Sequence, residues 1–434
     1  YEYYGNAPPL VLTSSTQRAY HVLSSASQLN YGGLVSGAVG SGKTAVVRDL
    51  AQTISKMCMV VDCVEGFDTT MLLRFFKGAA SGGIWCCFND LDRVGGEVLS
   101  IMAQHILPIQ QALVRQMAHF EMDGATLRIK HCFITACVQP SGGGSQGGRP
   151  GLPDSLKALF RPVALNAPDL QVIAYAKLLS FGFEHAEVLS RKLACLFKVC
   201  ADAILEQRIY HCGLHSVLAV LAATRRLRQT MPGEDEESVV LCAVLDREVP
   251  KLLPPDERTF HELVGHVFHD EGKHRAKHGG VRNGIKEHLQ SSGLRKVEYL
   301  ENKTLQVFEM TSFHCGLLTV GGPFGGKTTS ISALAAVLAN PSECGAECSA
   351  VKLVTLNPNA LTAVELFGTF SGSTWTDGIL TSLLRAFTKE PSPTSLWLHL
   401  DGEVAANWAE ALCPLLDDRR RLAVGNGDVV AVPG

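Results

Sequence analysis

The stretch Gly37-Ala38-Val39-Gly40-Ser41-Gly42-Lys43-Thr44 decides the reading of this chain. It fits the template of a glycine, four residues, Gly-Lys and then Ser or Thr, and it lies between a short apolar run and a helix-forming segment, as that template requires. Glycines at these spacings let successive backbone N–H groups turn inward around a phosphate, and the following helix adds the positive end of its dipole. Lys43 is placed to reach the β- and γ-phosphates of a nucleotide, and Thr44 to set its hydroxyl on Mg²⁺. Working outward, Tyr31 to Asp62 reads as turn, apolar strand, glycine loop, helix from Lys43 to Met57, and a β-rich run from Cys58 to Asp62. That is a βαβ order.

A second apolar strand, Ile84 to Phe88, ends in Asn89-Asp90-Leu91-Asp92, and a long helical stretch follows from Glu97 to Met117. A strand at His131 to Thr135 leads toward Ser141 to Gly148, a surface loop by its glycine-serine composition. Beyond Arg161, apolar residues recur every three and four positions through Val172–Phe181, Ala186–Ile204 and Leu214–Leu227, the pattern of a helical lid after an α/β core. Met231 to Glu237 is an acidic turn, and Asp270 to Gly293, polar and rich in Lys, Arg and His, is the best linker candidate.

The pattern then restarts. An amphipathic strand is expected near Thr304 to Met310 and another strand at Gly316 to Val320. A second loop follows, Gly321-Gly322-Pro323-Phe324-Gly325-Gly326-Lys327-Thr328, with Thr329 beside it, and then a helix and a strand at Val351 to Leu356. Two such loops, each opening a helix, are far more specific than either alone. The halves read as a diverged internal repeat of one α/β-plus-helices unit.

Hydrolases built on this loop place an Asp, often followed by Glu, at a strand end facing it; the Asp holds Mg²⁺ through water and the Glu activates the attacking water. Here the strand end is Asn89-Asp90. Asn89 is neutral and holds the magnesium less firmly. Asp90 is one methylene shorter than Glu, and a base must come within ~2.6–3.2 Å of the proton it takes, directly or through one water. Binding is expected at this site and hydrolysis is in doubt. In the second half, Leu396-Trp397-Leu398-His399-Leu400-Asp401 again ends in an acid, but Gly402 follows. Asp401 with Thr328 suits Mg²⁺, as Asn89 does with Thr44, and only Glu403 stands near enough in sequence to polarise water. The second loop reads as a binder.

The chain's 434 residues suggest two to four domains. A net charge of −3 gives no basic field to gather nucleic acid or a membrane surface, and no apolar run reaches the ~18–20 residues of a membrane span. Fourteen cysteines lack zinc-like CxxC pairs and read as small core residues in a reducing compartment. The N-terminus lacks the apolar core of a signal peptide, so a soluble intracellular protein is expected. The abrupt start at YEYYGNAPP and stop at Val432-Pro433-Gly434 suggest a piece of a longer chain.

The runs YEYYGNAPPLVLT, GAVGSGKT, WCCFNDLDR, LPDSLKALFRPV and LNPNALTAVELFGTFSGSTWTDGIL resemble the first and second AAA+ modules of dynein heavy chains across essentially the whole sequence. LPDSLKALFRPV and WTDGIL are the least generic, since phosphate binding does not demand them. EVLSIMAQHILPIQQAL and Phe120 to Gly124 are closer to the axonemal than to the cytoplasmic kind. A ribosome-assembly ATPase of the midasin type also strings such modules together, but is not expected to carry YEYYGN or WTDGIL.

The resemblance implies α/β architecture in tandem AAA+ P-loop modules: a first large α/β subdomain over residues 1–165, its helical lid over 166–270, a linker over 271–300, and a second, truncated α/β subdomain over 301–434. It places Leu10, Val11 and Leu12 on the adenine side of the first pocket and Gln139 near the polar sensor position. Arg161 resembles the arginine that reaches into a neighbouring module's site; a surface ion pair is the alternative. His215 stands where the family has a lid arginine, either as a packing residue or as its partial replacement. ATP or ADP with Mg²⁺ would be the cofactors. The partners would be the remaining modules and linker of the same heavy chain, microtubules through other parts of it, and intermediate and light chains. The location would be cytoplasm and cytoskeleton, in a cilium or flagellum axoneme. The function implied is ATP-driven microtubule movement. The departures at Asn89-Asp90, Gln139 and His215 keep open an alternative, a weak or inactive heavy chain acting structurally or regulating a partner motor.

Overall fold

The computed structural model of the protein describes residues 10–63, 69–139, 152–204, 210, 212–231, 233–268, 279–295, 297–311, 313–339, 350–371, 374–389, 395–416, 420–424 and 428–431. The YEYYGNAPP opening, the Ser141 to Gly148 loop and the first part of the linker candidate lie outside the described residues. The chain separates into two compact units, Tyr1–Leu221 and Ala222–Gly434.

In the first unit, helix α1 (Ser14–Gln28) starts on a capping box in which Thr13 and Thr16 satisfy each other's backbone N–H groups. The core then alternates strand and helix: β1 (Gly32–Gly37), α2 (Lys43–Thr53), β2 (Cys58–Asp62), α3 (Thr69–Gly82), β3 (Trp85–Asn89) and α4 (Gly96–Val114). A hairpin of β4 (His119–Met122) and β5 (Ala125–Arg128) precedes β6 (Phe133–Val138), the short α5 (Asp154–Lys157) and β7 (Phe160–Leu165). The sheet order is β2-β3-β6-β1-β7, every pair parallel, so the βαβ expectation holds.

Parallel strands covered on both faces are apolar on both, and these are. Leu34, Cys86, Phe88 and Ile134 pack with α3 and α4 on one face. Their chain neighbours Val35, Trp85, Cys87 and Phe133 pack with α1 and α2 on the other. After the sheet, α6 (Leu170–Ser180), α7 (Ala186–Ala203) and α8 (Leu214–Thr230) fill the three periodic segments, and the division between the units falls within α8.

The second unit contains α9 (Glu236–Glu248), α10 (Pro254–Val267), α11 (Gly279–Ser291), α12 (Glu298–Thr311) and α13 (Lys327–Ala339). After them come β8 (Val351–Leu356), α14 (Ala363–Phe367), β9 (Gly368–Ser371), β10 (Thr374–Asp377), α15 (Ile379–Lys389), β11 (Ser395–Leu400), α16 (Ala406–Leu416), β12 (Arg421–Ala423) and β13 (Val429–Ala431). Two expectations are corrected here. The strand expected near Thr304 to Met310 is helix α12: read back to Glu298, the burial of Glu301, Thr304, Leu305 and Phe308 follows the helical period that the shorter window hid. The polar stretch read as linker carries α11, whose Val281, Ile285 and Leu289, four residues apart, pack on Leu334 and Leu338 of α13.

The strand expected at Gly316 to Val320 is also not formed. In the first unit β1 is held between β6 and β7. Among the described residues of the second unit, β8 pairs with β11 and no further parallel strand stands beside them. Residues 316–320 therefore have no strand neighbour, and Leu318 and Val320 are 71% and 80% exposed.

Candidate nucleotide site

Strands β1, β6 and β3 are neighbours, so Gly37, Val138 and Asn89 end side by side at the carboxyl edge of the first sheet, where open α/β sheets bind ligands. The glycine loop leaves β1 there and opens α2. Gly40 and Gly42 have φ of +76° and +85°, a region side chains rarely adopt. Gly37 is needed for closeness instead: a Cβ there would lie 2.7 Å from Ser41 Oγ and 2.9 Å from the Leu165 carbonyl.

The loop walls a cavity of about 350 Å³ together with Asn89, Asp90, Arg93 and Gln139. Lys43 is 7% exposed, and its Nζ donates to the carbonyls of Gly37 at 2.9 Å and Ala38 at 3.0 Å. The ammonium is thus held on the carbonyls of its own loop.

At the floor, Thr44 Oγ1 donates to Asn89 Oδ1 at 2.8 Å. Asn89 Nδ2 in turn donates to Asp62 Oδ1 at 3.0 Å. Thr44 and Asn89 thus present neutral oxygens beside the phosphate loop, the hard donors that Mg²⁺ takes alongside phosphate and water, so the residues fit that ion. Asp90 follows in a left-handed conformation, φ +49°, and its carboxylate is ion-paired with Arg93 Nη2 at 3.4 Å. The buried Cys63 thiol, next to Asp62 in the chain, is pushed up to about 12 by burial and then by the carboxylates of Asp62 and Asp90.

The other expected residues scatter. Leu10 packs against the cluster of α1 and α2, and its N–H donates to Asp49 Oδ1 at 3.3 Å. Asp49 also accepts from the Tyr20 hydroxyl, tying α2 to α1. Val11 is half-buried and Leu12 is 63% exposed. Arg161 is exposed on the edge strand β7 at the register of Gly33, four residues before the partner of Gly37. It therefore lies toward the opposite end of the sheet from the glycine loop. His215 is exposed on α8. One residue outside the motif lines the cavity, Arg93, one 3₁₀ turn after Asp90; Asp62, the register partner of Asn89 on the adjacent strand, stands behind the cavity and does not line it.

The second loop repeats the internal bonding: Lys327 Nζ donates to the carbonyls of Gly321 and Gly322, each at 2.8 Å. It differs in two respects. Phe324 takes the left-handed place of Gly40 with φ +61° and is fully exposed. Among the described residues, Thr328 and the exposed Asp401 make no contact like that of Thr44 with Asn89, because the strand leading into this loop is not seated in the sheet. Gly402 is confined: a Cβ there would lie 3.1 Å from both Asn357 Oδ1 and Asn359 Nδ2, so a second acid does not fit without displacement.

A parallel sheet with helices on both faces, whose glycine loop opens a helix beside an oxygen-lined cavity, defines a P-loop nucleotide-binding module. Residues 1–328 match the family model described as the hydrolytic ATP binding site of the dynein motor region, and the chain belongs to that family. It is 34% identical over 434 residues to dynein axonemal heavy chain 3 of Mus musculus, covering 99% of this chain and 10% of that protein. Dynein axonemal heavy chain 12 of Mus musculus is 35% identical, with 99% and 14% covered. Dynein axonemal heavy chain 1 of Homo sapiens is 35% identical, with 99% and 10% covered. The chain thus spans 10–14% of the length of these relatives.

Proposed function

We propose that this chain is the ATP-binding part of the motor ring of a dynein-like microtubule motor, in which the first module binds ATP or ADP with Mg²⁺ and hydrolyses it weakly. The observation that carries the reading is the junction of Lys43, Thr44 and Asn89 at one cavity. Lys43 binds the terminal phosphates, and the loop N–H groups and the α2 dipole hold the rest of the polyphosphate. Thr44 and Asn89 would hold the magnesium, which would supply neutralisation of the phosphate charge.

Weak hydrolysis follows from the next residue. Asp90 is shorter than Glu, and its carboxylate is engaged by Arg93. A positioned base contributes about 10²–10⁴-fold to rate, and this site forgoes much of that. Arg161, exposed at the far end of β7, fits an arginine that serves a neighbouring module. The second module, with Gly402 after Asp401, holds nucleotide as a structural element.

In the whole protein, nucleotide state at the first site would set the conformation of the ring and linker, and the ring would act on microtubules through parts of the heavy chain outside these residues. Intermediate and light chains complete the assembly, and the axonemal relatives favour a cilium or flagellum. The second reading, a heavy chain that binds nucleotide for shape or regulation while a partner moves it, is favoured by the same Asp90–Arg93 pair. Single-turnover phosphate release in the assembled ring, which supplies the neighbouring arginine, separates the two. Turnover within a few-fold of an Asn89→Asp/Asp90→Glu variant overturns weak hydrolysis, and no turnover at all selects the regulatory reading.

A further inference from the structure

Asn89 occupies the strand end where an acid is expected, and the acid stands behind it instead. Asp62 is the register partner of Asn89 across β2 and β3, and its Oδ1 accepts from Asn89 Nδ2 at 3.0 Å. An ionised carboxylate only accepts hydrogen bonds, so Asp62 fixes the amide nitrogen toward itself. The amide oxygen is then the atom that faces Thr44, whose hydroxyl donates to it at 2.8 Å. An Asn at position 62 would remove that constraint, because a second amide both donates and accepts and lets Asn89 adopt either orientation. The two neighbouring strands thus end in one carboxylate and one amide, with the negative charge one strand further from the phosphate loop.

We propose that Asp62 is a positioning residue for nucleotide-bound Mg²⁺: it holds the Asn89 carbonyl oxygen on the magnesium side and supplies, from behind, the charge that position 89 lacks. The proposal rests on the reading of this cavity as a magnesium-nucleotide site. Groups that hydrogen-bond a metal's ligands orient them and raise their donor strength, and losing one costs about 10–100-fold in metal affinity. The Asp62 side chain is solvent-accessible, so water screens its direct attraction for the cation. Orienting the amide is not screened, and this is the larger share of the effect.

The test uses the full chain in a Lys327→Ala background that silences the second loop. A methylanthraniloyl-labelled ATP is titrated once with Mg²⁺ and once with EDTA, and the ratio of the two affinities measures the coupling to magnesium without any turnover. Asp62→Asn is expected to cut that ratio about 10–100-fold. Its affinity in EDTA, set by Lys43 and the loop N–H groups, should stay unchanged. The exchange Asp62→Asn/Asn89→Asp, which puts the carboxylate beside Thr44 and the amide behind it, is expected to restore the ratio. An unchanged ratio in Asp62→Asn overturns the proposal, as does an exchange variant that binds in EDTA yet loses as much coupling as the single variant. A chain that binds the probe in neither condition overturns the nucleotide-site reading itself, and this proposal with it.

Discussion

At the scale of single residues, the two phosphate loops differ most at one position. Gly40 and Phe324 hold corresponding places with φ of +76° and +61°. Glycine adopts that region freely, whereas a left-handed L residue costs roughly 1–2 kcal/mol, and Phe324, fully exposed, gains no burial to offset it. Phe324→Gly is expected to stabilise the second unit by about 1 kcal/mol. Urea denaturation checks this, and an unchanged or lowered midpoint counts against it. The buried thiols set a pH limit. Burial raises Cys63 from an ordinary value of 9.0 to about 12 and Cys132 to about 11. Both groups bind their proton more tightly when folded than unfolded. Their contribution is therefore complete below pH 9.0 and is lost as pH rises toward about 11 and then about 12. Denaturation midpoints should fall across that window and not below it. Among the cysteines of the described residues, alkylation of the native chain at neutral pH should begin at the exposed Cys195, Cys315 and Cys413.

At the scale of elements, the β4–β5 hairpin turns on Asp123 and Gly124, with φ of +50° and +68°. These are the angles of the two-residue turn that matches strand twist, and Asp-Gly is its usual sequence. Asp123 and Gly124, the last two residues of the Phe120 to Gly124 segment, thus have a local mechanical reason to be there. Gly124→Val puts a β-branched side chain where φ must be positive and is expected to cost about 1–2 kcal/mol, read as a lowered unfolding midpoint of the first unit. The cost should not reach the nucleotide site, since no hairpin residue lines the cavity. A change in nucleotide affinity larger than the stability loss explains would show that the hairpin does more than turn the chain.

For the molecule as a whole, a ligand that binds only the folded state stabilises it, by about 2.7 kcal/mol at a hundredfold excess over Kd. Unmodified chain should therefore melt higher in saturating ATP. Calorimetric titration should count two nucleotides per chain, one for each parked lysine, and one after either Lys43→Ala or Lys327→Ala. Retention of two sites after Lys43→Ala would remove the first cavity as a nucleotide site.

Much of this was legible in the sequence because it is local. A glycine loop, the helix it opens and the residue at a strand end are fixed by spacings of a few positions, and those spacings also carry the family resemblance. The helical period of α12 is local too, but Thr304 to Met310 show it only together with Glu298 to Lys303. What only the tertiary structure decided joins residues far apart in the chain. Thr44 meets Asn89 and Asn89 meets Asp62 because parallel pairing in one register brings the ends of β1, β3 and β2 to one edge, and no periodicity in the sequence encodes that register. The same rule explains the strand that did not form. Residues 316–320 have the composition of a strand, but a strand is made by its neighbours, and among the described residues these five have none.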